Sequence, residues 1–285
     1  MLNTYEQMLD LVKQKLATVS VNDNLSTFKY AKRVMFDYLW DTNPLLMDCR
    51  GHTYDNNTGE IVVAAPTKSF NYLENNWGRS LQPDTKVQIT KKYNGFLACV
   101  SKHEGKIVVS TTGSTKSEFV AMAKSLLPCS DPDAYECSTT DFYEIIHEDD
   151  PHIVDEGDSR AEWLGCRDKS TGEVLAWGGL SGLMTRDEAL QIAAKDKGEG
   201  FMMYAEGDYS KAYKLKTPYY VGKKKLMRMS KNNVDTMYKF PKTVVESLPE
   251  MWKHLPEIIT SAFHKEEWTE MNDQERRKVL ETIIN

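Results

Sequence analysis

A lysine placed where a strand ends is the first chemistry this chain offers. Lys92-Tyr93-Asn94-Gly95 lies between Val87-Gln88-Ile89-Thr90 and Phe96-Leu97-Ala98-Cys99-Val100, two runs rich in apolar and β-branched residues. The pattern predicts a tight loop joining two antiparallel strands, because Asn-Gly is the commonest short turn signal and both residues tolerate positive φ. A lysine held at such a turn, just off a sheet, is a poor structural choice and a good nucleophile. To attack anything it must be neutral, so its pKa of about 10.4 has to fall through desolvation or nearby cations. A Lys-x-Asn-Gly tetrapeptide alone is commonplace. Its weight comes from the residues downstream of it: Glu144 within the apolar run Phe142–Ile146, then Glu199-Gly200-Phe201, then Lys214-Leu215-Lys216.

The elements that must position these residues can be read from periodicity. The first 45 residues read as mainly helical, with Tyr5, Met8, Leu9, Val12 and Leu16 forming one apolar stripe. Asn43-Pro44 breaks the pattern, and Leu45 to Gly51 leads into a sheet region. Asn56-Asn57-Thr58-Gly59 is a turn, and Ile61–Ala65 a strand that stops at Pro66. Lys68–Tyr72 reads as a connecting loop, and Lys106–Thr112 as a strand closed by Gly113. Thr115-Lys116-Ser117-Glu118 reads as a capping box for a helix carrying Phe119, Met122, Ala123 and Leu126. Ala161–Arg167 and Glu173–Trp177 form a hairpin over Ser170-Thr171-Gly172, and Thr185-Arg186-Asp187-Glu188 caps a helix running to Ala194. Gly200–Ala205 and Lys211–Lys216 pair across Glu206-Gly207-Asp208. From about Lys231 onward the strands stop, Pro249 and Pro256 punctuate helices, and Gln274–Ile284 is a last helix. The expected class is therefore α+β: an antiparallel sheet core carrying helices, residues 1–230, with a small helical tail, residues 231–285.

Composition sets the outer bounds. The 285 residues are 40% hydrophobic and 27% charged, as in ordinary globular proteins, and suffice for a sizeable core. No apolar run approaches the roughly 20 residues that span a bilayer, and the N-terminal residues lack the pattern of a signal peptide. Five cysteines, without a Cys-x-x-Cys pair, suggest neither a disulfide framework nor a zinc site and fit a reducing cytoplasm. The net charge is −6, yet Tyr209 to Val234 contains no Asp or Glu while holding Lys211, Lys214, Lys216, Lys223, Lys224, Lys225, Arg228 and Lys231. A basic face on an acidic protein can follow a polyanion without general stickiness. His147-Glu148-Asp149-Asp150-Pro151-His152 is rich in metal-ligand types and reads as a solvated acidic loop. Trp163 could stack a base, although a tryptophan in an apolar strand is more often core.

The ordered set Lys92-x-Asn94-Gly95, Glu144, Glu199-Gly200-Phe201 and Lys214-Leu215-Lys216 resembles the covalent nucleotidyltransferases, the superfamily of polynucleotide ligases and mRNA capping enzymes. The nearer resemblance is to the phage T4-type ATP-dependent RNA ligases, and it extends upstream to Cys49-Arg50-Gly51 and to Pro66-Thr67-Lys68-Ser69-Phe70-Asn71-Tyr72-Leu73-Glu74-Asn75. It covers roughly residues 45 to 240. The implied fold is an antiparallel-sheet nucleotidyltransferase core, an ATP-grasp-like ligase core. The implied activity is joining RNA 5′-phosphate and 3′-hydroxyl ends through a lysyl-AMP and an adenylylated RNA. The partners implied are ATP, Mg2+ (Mn2+ as the other possibility) and RNA, with no membrane and no obligate protein partner.

The same resemblance implies the roles. Lys92 attacks the α-phosphate of ATP; Lys214 and Lys216 clamp that phosphate and, with the metal, supply the positive field that lowers the Lys92 pKa. Glu199 holds the metal, Glu144 accepts from the ribose hydroxyl, and Arg50 and Lys68 grip the β and γ phosphates. Asn94 stands where aspartate is more usual, Thr112 where many members carry lysine before the glycine, and the tail is shorter than in the best-known phage enzyme, so no transfer-RNA preference carries over. Two alternatives remain: a capping-type guanylyltransferase using GTP, disfavoured because the residues after 216 read as helical rather than as an OB-fold, and a non-catalytic RNA-binding protein on the same fold. No Gly-x-x-x-x-Gly-Lys-Ser/Thr loop is present, which argues against P-loop chemistry.

Overall fold

The computed structural model describes every residue except Met1, Asn75, Ser130, Pro151 and Asn285, and the side chains of Asn76, Trp77 and Pro132. Asn75, at the end of the Pro66–Asn75 stretch, and Pro151, within the His147–His152 stretch, therefore lie outside the described residues. In chain order the elements begin with α1 (Tyr5–Lys13), β1 (Ala17–Asn22), β2 (Leu25–Tyr30), α2 (Lys32–Phe36), β3 (Arg50–Asp55), β4 (Ile61–Val63) and β5 (Phe70–Asn71). There follow α3 (Asn76–Arg79), β6 (Lys86–Lys92), β7 (Phe96–His103), β8 (Lys106–Ser110), α4 (Glu118–Leu126), β9 (Thr139–Ile146), β10 (Arg160–Asp168) and β11 (Val174–Trp177). The remainder are β12 (Met184–Thr185), α5 (Arg186–Lys195), β13 (Gly200–Ala205), β14 (Asp208–Lys216), α6 (Pro218–Met227), α7 (Lys231–Lys239), α8 (Pro241–Glu246), α9 (Leu255–Ala262), α10 (Lys265–Glu270) and α11 (Asp273–Ile284).

The strands make three sheets, ordered β1-β2-β3-β4, β11-β10-β9-β7-β8 and β12-β6-β13-β14-β5. Pairing is antiparallel throughout except for β14 with β5. The two five-stranded sheets face each other, and period-two alternation decides what each side carries. Val87, Ile89, Met203 and Leu215 pack outward against Ala189 and Ala193 of α5. Ala98, Val100 and Ile145 pack outward against Val120 and Ala123 of α4. The intervening positions, among them Thr90, Met202, Lys214, Leu97 and Glu144, are thereby turned toward the space between the sheets.

Three sequence expectations change here. The first 45 residues are not mainly helical, because α1 ends at Lys13 and Lys15 takes a positive φ of 59°, after which β1 and β2 form a hairpin over Asp23 (φ 51°). The apolar stripe misled because Leu16 packs on the same core as Met8 and Leu11 although it lies past the helix. The second change is that α4 is capped by Ser117, whose hydroxyl accepts from the Val120 amide, and not by Thr115. Lys68–Tyr72 is a loop only in part, since Phe70 and Asn71 add a short parallel strand beside β14. The hairpins β3–β4, β10–β11 and β13–β14 and the capping box of α5 match the expectation.

From Pro218 the chain is helical, and α6 to α11 share one apolar core around Tyr220, Leu226, Trp252, Leu255, Trp268 and Leu280. The cysteines are all free. No helix among the described residues is long and apolar enough to cross a membrane.

Candidate active site

The space between the two five-stranded sheets is a cavity of about 570 Å³, inside the range typical of small-molecule sites. Lys92, Glu144 and Lys214 line it, together with Arg50 and Thr67 from the first sheet and the loop after it.

Lys92 is the last residue of β6, and register fixes its neighbours. Gly200 is opposite Lys92 on one side of β13 and opposite Lys216 on the other, so the two lysines share one rung of the sheet. Lys214 lies two residues back along β14, hence on the same face. Gly200 takes a φ of +136°, and a Cβ there would lie 1.9 Å from the Leu215 carbonyl oxygen, so only glycine lets the three strands close this tightly. Glu199, just ahead of it, is 4% exposed. Its Oε1 is 3.0 Å from Lys92 Nζ and 3.8 Å from Lys216 Nζ. Glu144 comes from the opposite sheet, with Oε1 at 4.0 Å from Lys92 Nζ.

The Lys92 turn departs from the sequence expectation. It does not close a hairpin: β6 and β7 belong to different sheets, and neither Asn94 nor Gly95 takes a positive φ. The four residues instead carry the chain across the cavity. Gly95 is needed for close approach, since a Cβ there would lie 2.2 Å from the Ile145 carbonyl oxygen. That approach lets the Gly95 amide donate to Glu144 Oε1 at 3.1 Å. Asn94 is buried and uses its whole side chain: Nδ2 donates to Glu199 Oε2 at 3.0 Å, and Oδ1 accepts from the amides of Ile153 (2.8 Å) and Val154 (3.0 Å).

Electrostatics divides the site into two halves. Around Lys92 the neighbours are carboxylates: burial pulls its ammonium down, but Glu144 and Glu199 outweigh it and the net shift is upward. Burial pushes the Glu144 carboxyl up, against the opposing pull of Lys92. The positive field expected from Lys214, Lys216 and a metal is thus met, among the protein's own groups, by two carboxylates whose effect on Lys92 has the opposite sign. On the other side cations crowd together. Burial, then Arg50, Lys68, Lys92 and Lys216, bring Lys214 down to about 6. Lys68 falls to about 8, mainly by burial, and Lys216 also shifts down for that reason. Burial and mutual repulsion oppose the charged forms of these lysines, and an anion placed among them would favour those forms again. Lys68 is held back from the cavity: its Nζ donates to the Ser69 carbonyl at 2.8 Å and lies 4.2 Å from the Phe70 ring centroid.

The Glu199 carboxylate, a hard oxygen donor at the cavity edge, is of a type that fits a divalent cation such as magnesium. The three-residue metal-ligand group found among the described residues, Asp55, His103 and Glu104, is elsewhere. In the stretch from His147, His152 is buried and its Nε2 lies 3.1 Å from the His147 carbonyl oxygen, while Asp149 is exposed. Trp163 is 41% exposed and lines the cavity, with its indole N–H bonded to Asp141 at 2.9 Å; it is therefore not core. Trp177 and Tyr204 also line the cavity with ring centroids 5.2 Å apart, and nothing in their local sequence marked them. Glu156, whose carboxylate accepts from the Asn94 amide at 3.0 Å, was equally silent.

No protein-family model and no curated protein matches the sequence. Solved structures do match. An archaeal ATP-dependent RNA ligase aligns in two forms, each with a TM-score of 0.55 over 97% of this chain, at 16% and 15% identity and covering 75% and 74% of that protein. A putative ATP-dependent DNA ligase from Aquifex aeolicus aligns with a TM-score of 0.52 over 98% of this chain and 75% of its own, at 12% identity. This chain is thus a mixed α/β protein of antiparallel sheets that shares the fold of ATP-dependent ligases.

Proposed function

We propose that the protein is an ATP-dependent RNA ligase of the lysyl-AMP type, with residues 1–230 as the adenylation domain and 231–285 as a helical C-terminal domain. The observation that carries this reading is a lysine at a strand end, on a cavity wall, 3.0 Å from one carboxylate and 4.0 Å from a second, with a cluster of cations beside it. ATP fills the cavity with its triphosphate toward Arg50, Lys214 and Lys216, Lys68 swings from the Ser69 carbonyl to join them, and Glu144 accepts from the ribose.

Lys92 Nζ attacks the α-phosphorus; the N–P bond forms as the bond to the pyrophosphate oxygen breaks, and pyrophosphate leaves. Lys214 and Lys216 stabilise the charge that grows on the α-phosphate. An RNA 5′-phosphate oxygen then takes AMP from Lys92, and an RNA 3′-hydroxyl attacks that phosphate and expels AMP. Magnesium, or manganese in its place, would be held by Glu199 and supply charge neutralisation for the triphosphate. Burial pulls the Lys92 ammonium toward the neutral nucleophile, and Glu144 and Glu199, which oppose that pull, are the carboxylates beside it that can take up its proton.

The test is incubation with α-labelled ATP or GTP and magnesium, with manganese also tried, followed by a denaturing gel, on wild type and Lys92→Ala. Label retained from ATP alone, and absent from the variant, is the expected result. Label from GTP would make the protein a capping-type guanylyltransferase, and label from neither would leave a non-catalytic protein on a ligase fold.

A further inference from the structure

The helical tail reaches the catalytic turn through one short segment. Residues 152–156, between β9 and β10, touch Asn94 at three points: the Ile153 and Val154 amides donate to Asn94 Oδ1, and Glu156 accepts from the Asn94 amide. Glu156 also pairs with Lys91 at 3.4 Å. The Ile153 side chain points the other way. It is 1% exposed and sits inside the apolar core of the helices, in one cluster with Tyr220, Leu226 and Trp252, while Val154 packs against the same cluster.

Charges fasten the segment from the same side. Arg277 of α11 donates from Nη1 to the His152 carbonyl at 3.4 Å and pairs with Asp155 at 3.7 Å. Arg277 is itself flanked by Glu281 at 3.7 Å, and Glu281 accepts from Lys223 of α6 at 2.6 Å. The Lys223 side chain is 1% exposed and that of Glu281 32%, so the lysine end of this pair is shielded from water. A continuous chain of packed and hydrogen-bonded groups therefore runs from α6 and α11 through Ile153 to Asn94, and from Asn94 Nδ2 to Glu199 Oε2.

We propose that the helical tail is a positioning element for the nucleophile: through residues 152–156 it fixes Asn94, and through Asn94 it fixes Glu199 and the path of the chain out of Lys92. The proposal rests on the adenylyl-transfer reading and adds what the tail does for that step. Ile153 and Arg277 touch no reacting atom; they act through Asn94. Displacing a reacting group by about 1 Å costs up to about a hundred-fold in rate, so loosening this brace slows chemistry more than it weakens nucleotide binding.

The experiment measures transfer of label from α-labelled ATP to the full chain in a single turnover, across ATP concentrations, for wild type, Ile153→Ala, Ile153→Val and Arg277→Ala. Thermal melts report the folded fraction of each. Expected for Ile153→Ala is a rate constant at saturating ATP reduced by about ten-fold or more, with half-saturation moved less than about three-fold. Ile153→Val restores the rate to within about two-fold, and Arg277→Ala slows it in the same sense. A tail that only contributes stability would lower the melting temperature and leave the rate constant of the folded fraction unchanged. If wild type takes label and both Ala variants do so at the wild-type rate, the brace is overturned and the ligase reading stands. If Ile153→Ala does not fold, Arg277→Ala, which leaves the apolar core intact, decides between the same two results. Absence of label on wild type overturns the ligase reading, and the brace with it.

Discussion

Lys214 is the residue whose ionisation most directly reports on what the cavity holds. Burial and the cations around it keep its pKa near 6, so above that pH it stands neutral in the nucleotide-free site. A triphosphate beside it reverses the sign of the local field and favours the ammonium form. The bound state then carries more protons than the free one. Affinity for ATP should accordingly fall as pH rises above about 6, and the dependence from this group should vanish below that, where both states hold the proton. Calorimetry at pH 8 in buffers of different ionisation enthalpy should register uptake approaching about one proton, abolished in Lys214→Met. The same depressed pKa bears on the fold with a definite sign. Between about 6 and the ordinary lysine value the unfolded chain binds a proton that the folded chain does not, so this lysine destabilises the fold increasingly as pH falls across that window. Lys214→Met should therefore raise the melting temperature while it weakens ATP binding. Proton uptake unchanged by the substitution would remove Lys214 from the phosphate site.

The crossing from β6 to β7 is the element on which the site depends, and it tests how far local sequence can be read. Its strands were legible because β6 alternates, with Val87 and Ile89 facing α5 while Thr90 and Lys92 face the cavity, and because β7 opens on the apolar run Phe96–Val100. What Asn94-Gly95 did not disclose is which sheet the next strand joins. A two-residue turn signal describes backbone preference only, and here tertiary packing uses the same dipeptide for close approach. Gly95→Ala therefore should act as a steric clash with the Ile145 carbonyl and not as a loss of positive φ. The expected cost is about 1–3 kcal/mol, read from denaturant unfolding, together with loss of labelling because the Gly95 amide moves off Glu144. Stability and labelling equal to wild type would mean that the crossing is loose. The β1–β2 hairpin was hidden for a related reason, since Leu16 continues the α1 stripe into the core without continuing the helix. The hold on Asn94 was invisible because its donors are the backbone amides of Ile153 and Val154, and an amide leaves no trace in residue type. Lys92, Glu144, Glu199, Lys214 and Lys216, by contrast, were found as a set because strand spacing brings each to a cavity-facing or adjoining position.

At the scale of the whole molecule, the question is where one cooperative unit ends. The strands finish with β14, and α6 comes directly after, but α6 has no core of its own. Tyr220, Leu226, Met227 and Met229 are buried against Val234, Trp252, Leu255, Trp268 and Leu280, all contributed by later residues. Arg276 of α11 reinforces the join by donating to the carbonyls of Met227 and Met229 at 3.0 and 3.1 Å, and to those of Trp268 and Thr269. Ending the chain after residue 230 would leave α6 with its apolar face bare and Ile153 without its socket. Fully burying side chains of this kind stabilises by about 1.5–3 kcal/mol each, so the loss is large against the whole stability of a domain. A 1–230 chain should therefore lose cooperativity, melt lower and self-associate in size-exclusion chromatography, and substitution of Leu226 and Met227 by polar residues should restore a monomer without restoring the melting temperature. The brace through Ile153 gives that outcome a kinetic counterpart, since the same truncation releases Asn94 from its backbone donors. A monodisperse 1–230 chain that melts and takes label as the full chain does would show instead that the sheets and the Lys92 turn stand without the helices.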